Sequence, residues 1–271
     1  MLFGKKKCSN CNSTYDVVED TCPFCHERDD NFEMMNIPKN VVWLPIYKQL
    51  LLFGLGFLLL HIISFIGQLI FSNYFEPTDV TYVLIINLIR YLGVAVLMAV
   101  TLIHSYPKFK NSFNKVLPYV VGVSAGIILI AINIAYNAAV GVFYQSSTNG
   151  NQSLANALVK TYPVIAIFLL GFVGPTVEEL TYRVGLFTFL TRVHKAVAYA
   201  ATIILFAIIH FDFTATGEAL INEFITLPIY VICGAILCVL YDFMGLSSSL
   251  TAHIVNNLIS TLPILLASGA E

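Results

Sequence analysis

Runs of about twenty predominantly apolar residues recur along this chain, and each is long enough to cross a bilayer as a helix rising 1.5 Å per residue. The runs number seven, at approximately 47–71, 80–104, 117–143, 161–190, 197–213, 224–243 and 247–267. Inside lipid every backbone N–H and C=O must find its partner within the segment, so such runs fold as helices. Composition agrees with this: 58% of residues are hydrophobic, 11% are charged and the mean hydropathy is +0.80. Soluble domains carry roughly a quarter charged residues. The expected fold is an all-α polytopic membrane protein of about seven to eight transmembrane helices, the eighth arising if the fourth run splits at Gly174-Pro175. A net charge of -2 gives no reason to expect a nucleic acid as partner.

The segment before the first run has a chemistry of its own. Its basic start, Lys5-Lys6-Lys7, leads into cysteines and acids rather than the short apolar stretch and cleavage site of a signal peptide. It reads CSNC, ten residues, then CPFC, with Cys8, Cys11, Cys22 and Cys25 as the candidate ligands. Each Cys-x-x-Cys pair places two thiolates on one tight turn, and two such turns close a tetrahedral Zn²⁺ site. A segment this short has no core, so the metal would supply most of its folding energy. With four thiolates bound no coordination position stays open, which makes the expected zinc structural. Two disulfides are the alternative and would require an oxidising compartment. His26 beside Cys25 reads as a bystander, and Cys233 and Cys238 as small core residues. The chain therefore divides into a zinc ribbon at 1–28, a linker at 29–46, N-terminal transmembrane helices at 47–159 and a C-terminal transmembrane core at 160–271. Within this division QSSTNGNQS at Gln145–Ser153 is a polar loop, and Trp43 and Tyr47 stand where an interfacial aromatic belt is expected.

Orientation follows from the lysines and arginines outside the spans. One side gathers Lys5 to Lys7, Arg28, Lys39, Lys48, Lys108, Lys110, Lys115, Arg192 and Lys195; the other has Lys160 alone, with Glu76, Asp79, Glu218 and Glu223. The expectation is a multi-pass cell-membrane protein with a cytoplasmic N-terminus and, with seven spans, Glu271 outside.

Against this background GPTVEELTYR, Gly174 to Arg183, stands out. A charge at the bilayer centre costs roughly 2.5–3.5 kcal/mol on insertion scales and commonly marks function. Gly174-Pro175 reads as a helix restart, which would put Glu178 and Glu179 in a first turn favoured by the helix dipole. Arg183 follows Glu179 by four residues, the spacing at which the two neutralise each other on one face. Glu178, about 100° around the helix, keeps a free carboxyl. The next run holds FAIIHF with His210. In an antiparallel hairpin turning at TRVHK, Glu178 and His210 lie at one depth, at most about 24 Å from the turn. The last run holds TAHIVNN, where His253 and Asn257 share a helical face, with His253 about 12 Å in. Singly, each polar residue has a bland reading as a carbonyl-bonded or interhelical group. Four together would need four separate explanations.

EExxxR at Glu178–Arg183, FxxxH at Phe206–His210 and HxxxN at His253–Asn257 occur in that order. Together they resemble the CAAX prenyl protease type II family and its bacterial bacteriocin-processing relatives, the CPBP or Abi group, over roughly residues 160 to 262. The resemblance implies intramembrane peptide-bond hydrolysis with no covalent intermediate. It makes Glu178 the general base activating a water, assisted by His210. His253 and Asn257 become the oxyanion donors, and Glu179 and Arg183 support the site. The implied substrates are membrane-associated, lipidated, leader or precursor peptides; a cytoplasmic protein docking on the ribbon would be a further partner. Other readings stay open. Glu178, His210 and His253 would make a His₂Glu metal set, although no HExxH occurs. GLSSS with His253 could be imagined as a serine protease, although it reads as a helix start. Arg90 would pair with a carboxylate, snorkel outward or grip a substrate's C-terminal carboxylate. A non-catalytic peptide-binding immunity protein or scaffold would have no need of the buried charge. A transporter would show inverted repeats or paired broken helices, and neither is visible.

Overall fold

The computed structural model describes residues 5–16, 22–27, 40–71, 73–76, 79–144 and 149–268. Most of the expected linker, up to position 39, lies outside the described residues, as do Arg28, Lys39, Glu271 and the loop tip 145–148.

Strands β1 (Lys5–Lys7) and β2 (Thr14–Asp16) pair antiparallel, with Lys6 opposite Tyr15. Among the described residues eight helices follow: α1 (Ile46–Phe71), α2 (Val80–Lys110), α3 (Val116–Gly141), α4 (Gly150–Thr161), α5 (Pro163–Thr191), α6 (Lys195–Ile208), α7 (Gly217–Met244) and α8 (Leu246–Ser268). Six of these, all but α4 and α6, are long and apolar enough to cross a membrane. The expected fifth span is the apolar helix α6, whose 14 residues reach about 21 Å, short of a hydrocarbon core of about 30 Å. The chain leaves this helix at Ile209 in turns, and α7 begins at Gly217, earlier than its apolar run implies. Local chemistry sets several helix starts. The Asp79 carboxylate accepts from Thr81 N at 2.7 Å, and Asn149 Oδ1 accepts from Gln152 N at 3.0 Å. Gly245, at φ 89°, makes the left-handed turn between α7 and α8, where a Cβ would lie 2.9 Å from Asn40 O.

Helix α5 sits at the centre. Of its apolar stretch 44% is buried against other helices, compared with 22–33% in the other five long helices. Val177, Val184 and Phe187 join Leu52, Val94, Met98 and Tyr241 in the largest core. Outward faces carry exposed Leu58, Phe65, Val96, Val120, Ile134 and Phe224, as expected of a surface solvated by lipid. Helices α3 and α8 approach closely: a Cβ at Gly122 would lie 2.6 Å from Ser248 O, and one at Gly126 2.8 Å from Ala252 O. This is the small-xxx-small packing by which membrane helices bring their backbones together.

The expected break at Gly174-Pro175 does not occur. Gly174 keeps helical angles (φ -56°, ψ -59°), and α5 runs through it as one helix. Pro175 has no N–H to donate and its ring crowds the preceding turn. A π-helical turn, Leu169–Val173, ends immediately before this dipeptide, and such local widening re-satisfies the freed backbone groups. A second π segment, Leu180–Phe187, begins directly after Glu179. Glu178 and Glu179 therefore lie mid-helix, and the dipole of a helix start contributes nothing to holding them.

The basic residues cluster at one end of the bundle. Lys48 Nζ donates to Ser105 Oγ at 2.8 Å, Arg192 Nη2 to Leu44 O at 3.0 Å, and Lys195 pairs with buried Asp242 at 2.7 Å. Asp79, Asn149 and Glu223 belong to the opposite end, where Thr81 meets Tyr162 and Gly150 meets Glu223.

Candidate active site

The motif residues converge where α5, α6 and α8 meet. Glu179 and Arg183 are fully buried, and Glu179 Oε1 lies 3.1 Å from Arg183 Nη1. The same oxygen lies 3.0 Å from His253 Nδ1. A carboxylate paired with arginine can only accept, so Nδ1 carries the proton of that bond. The other face of the ring is thereby set: His253 Nε2 points to Glu178 Oε2 at 3.7 Å. Glu178 keeps 13% of its side-chain surface accessible, whereas Glu179 keeps none. The two adjacent glutamates thus occupy different environments, one locked between Arg183 and His253 and the other turned toward accessible space.

His210 sits in the turn just past α6. Its Nδ1 bonds the Phe206 carbonyl at 2.8 Å, and a carbonyl only accepts, so the ring presents Nε2 as its free nitrogen. His210 is within electrostatic reach of Glu178, His253 and Arg183. Phe206 is the wall they share. Its ring lies 5.0 Å from His210 and 5.8 Å from His253, with the Arg183 guanidinium 4.5 Å from its centroid. The four-residue spacing of Phe206 and His210 therefore places both rings on one side of the turn. Asn257 stands one helical turn beyond His253 and donates Nδ2–H to Leu170 O at 2.9 Å, inside the first π segment of α5. One hydrogen of its amide is left for another acceptor.

The π-helical segment bears on the depths inferred from an ideal helix. A π turn closes i→i+5 rather than i→i+4, so Leu180–Phe187 covers less length than eight α-helical residues would. That brings Glu178 nearer the basic end, toward the level of His253. Tyr91 carried no signal in the sequence, yet it interacts with Glu178 and with Arg90, whose guanidinium lies 4.8 Å over its ring. Arg90 itself donates to Asn87 Oδ1 and Ser64 Oγ, each at 3.0 Å. GLSSS starts α8, with Ser249 Oγ bonding Leu246 O at 3.3 Å.

The ribbon cysteines form a second centre. The two knuckles have the same construction: Asn12 N–H bonds Cys8 O at 3.1 Å and His26 N–H bonds Cys22 O at 2.9 Å, with Asn12 and His26 both left-handed. Cys8 and Cys25 sulfurs lie 3.5 Å apart, Cys11 and Cys22 sulfurs 3.6 Å, and all four lie within 4.8 Å of one another. A disulfide would need about 2.05 Å, and all four cysteines are free thiols. A tetrahedral ion with Zn–S bonds of about 2.3 Å would set its ligands about 3.8 Å apart, so the donor set fits. Among the described residues these cysteines form the one group of three or more metal-type ligands whose donor atoms converge. Four N-terminal cysteines placed in this way can bind a metal such as zinc.

Residues 160–259 match the family described as type II CAAX prenyl endopeptidase Rce1-like. The similarity read from the three motifs therefore holds over the segment that contains all of them. A UPF0177 protein, YvdC of Lactococcus lactis subsp. lactis (strain IL1403), is 27% identical over 124 residues, 42% of this chain and 46% of that protein. The matched region thus spans less than half the length of this curated relative. No solved structure matches the chain.

Proposed function

We propose that this chain is an intramembrane endopeptidase that hydrolyses membrane-associated, leader or precursor peptides with a glutamate-activated water. The observation that carries this reading is the division of labour between adjacent carboxylates. Glu179 is held by Arg183 and His253, while Glu178 remains partly accessible with His253 Nε2 at 3.7 Å.

In this mechanism Glu178 takes a proton from water as the water oxygen attacks the scissile carbonyl carbon. His210, its Nε2 left free by the Nδ1 bond to Phe206 O, orients that water and shares the proton. The C=O becomes an oxyanion, stabilised by the second hydrogen of the Asn257 amide and by His253, whose Nε2 donates when it carries a proton in addition to the one Nδ1 gives to Glu179. Aimed donors of this kind are each worth about 2.7–4 kcal/mol. Collapse of the intermediate breaks the C–N bond, and the proton held by Glu178 and His210 passes to the leaving amine. Glu179 fixes the His253 ring, and Arg183 balances the charge of Glu179. In the ribbon Cys8, Cys11, Cys22 and Cys25 would hold a structural zinc, which supplies folding energy and takes no part in the reaction. The basic end of the bundle and the ribbon face the cytoplasm, because Lys and Arg gather on that side by eleven to one.

The test is cleavage of a fluorogenic peptide library by purified protein in detergent, comparing wild type, Glu178→Ala and His210→Ala with and without a chelator. Cleavage that survives the chelator and is lost in both variants is the expected result. Cleavage abolished by the chelator in a protein already stripped of ribbon cysteines would place a metal in the membrane site instead.

A further inference from the structure

The structure assigns two residues outside the three motifs, Glu223 and Tyr230 of α7, as positioning residues for His210: one anchors the turn that carries it, the other holds its ring. The assignment rests on the reading of His210 as the partner of Glu178.

His210 lies beyond the end of α6, which closes at Ile208, and its N–H donates to Ala207 O at 3.1 Å in a tighter turn rather than in a continuing α-helical ladder. Two residues further on, the backbone N–H of Asp212 donates to Glu223 Oε2 at 3.1 Å. The other oxygen, Oε1, accepts from Gly150 N–H at 2.8 Å, at the start of α4. Glu223 is 1% exposed, and a buried carboxylate persists when several donors converge on it. It therefore ties the turn after α6 to the first turn of α4. Gly150 allows this closeness, since a Cβ there would lie 3.3 Å from Asp212 Oδ2 and 3.5 Å from Glu223 Oε1. Asp212 Oδ1 in turn accepts from Thr214 N and Oγ1 at 2.8 and 2.7 Å, tightening the same turn.

Tyr230 completes the arrangement two helical turns along α7. Its ring stacks on the imidazole with centroids 4.3 Å apart and planes 17° from parallel. Its hydroxyl receives the amides of Asn149 and Asn151, each at 3.4 Å, so the start of α4 holds the tyrosine as well. With Nδ1 bonded to Phe206 O and one face covered by Tyr230, the imidazole is held in one orientation and Nε2 is its free nitrogen. Misplacing a catalytic group by about 1 Å can cost on the order of a hundredfold in rate.

Two readouts test this on the full-length protein in detergent, with Glu223→Gln, Tyr230→Leu and Tyr230→Phe all checked for unchanged melting. The first is acylation of His210 by diethyl pyrocarbonate, mapped by mass spectrometry against the exposed His104 of the same chain. Glu223→Gln gives up one of its two acceptor oxygens and Tyr230→Leu the stack; both should speed acylation at His210 several-fold, while Tyr230→Phe keeps the ring and stays near wild type. The second is peptide cleavage: kcat should fall about tenfold or more in the first two variants with KM within about twofold, and Tyr230→Phe should restore most of it. Unchanged acylation at His210 in both Glu223→Gln and Tyr230→Leu would overturn the assignment. Faster acylation in a protein that cleaves no peptide would uphold the positioning and reject the protease reading.

Discussion

At the scale of single residues, the site turns on how two identical side chains next to each other in sequence become unlike. Glu179 has lost all contact with solvent and shares one oxygen between Arg183 and His253. Removing one partner of a buried ion pair leaves an uncompensated charge and costs about 3–5 kcal/mol. Arg183→Ala should therefore lower the melting temperature markedly and reduce the yield of folded protein, as followed by thermal unfolding in detergent. Glu178→Gln keeps an oxygen within reach of His253 and breaks no fully buried arginine pair, so it should lower the melting temperature far less than Arg183→Ala does. The Glu179–Arg183 pairing could be read from i,i+4 spacing. That His253 sits between both glutamates could not, since it depends on how α8 packs against α5. Tyr91 and Tyr230 left no trace in the sequence, because an aromatic residue in an apolar span looks like any other lipid-facing or core residue.

At the scale of elements, the long helices were legible from hydropathy because twenty apolar residues leave the chain few choices. The finer shape was not. Gly174-Pro175 reads locally as a break, yet the π turn at Leu169–Val173 lets α5 continue, an adjustment that depends on the packed neighbours. Only the first turn of α4 falls in the polar stretch Gln145–Ser153 read as loop; the helix is capped by Asn149 and buries Leu158 and Val159, but its 12 residues are too few to stand out as a span. The contact of α3 with α8 rests on Gly122 and Gly126, and α8 carries His253 one residue after the carbonyl that Gly126 approaches. Gly126→Val forces that carbonyl away, and overpacking of this kind costs about 1–3 kcal/mol. Lower thermal stability together with weaker cleavage is the expected outcome; wild-type values for both would show that the α3–α8 contact does not set the site.

At the scale of the whole molecule, a ribbon whose four cysteines can bind a metal and a membrane core with its own polar centre are separate pieces of chemistry. Metal analysis of the purified protein should find one zinc per chain, falling to near zero when Cys8 and Cys22 are both replaced by serine. Zinc retained in that variant would place it elsewhere. The ribbon's four cysteines could be read directly from spacing, because a tetrahedral site needs little more than two knuckles. The membrane site was legible as a set of residues on three spans, while their mutual geometry depended on the π turns of α5 and on the turn after α6. The central claim is that Glu178 is the base, and its most direct test is the cleavage rate of Glu178→Gln relative to wild type on the same peptide. General-base catalysis contributes about 10²–10⁴-fold, so the account predicts a loss of at least a hundredfold in a folded protein. A folded Glu178→Gln protein that cleaves at close to the wild-type rate would contradict it.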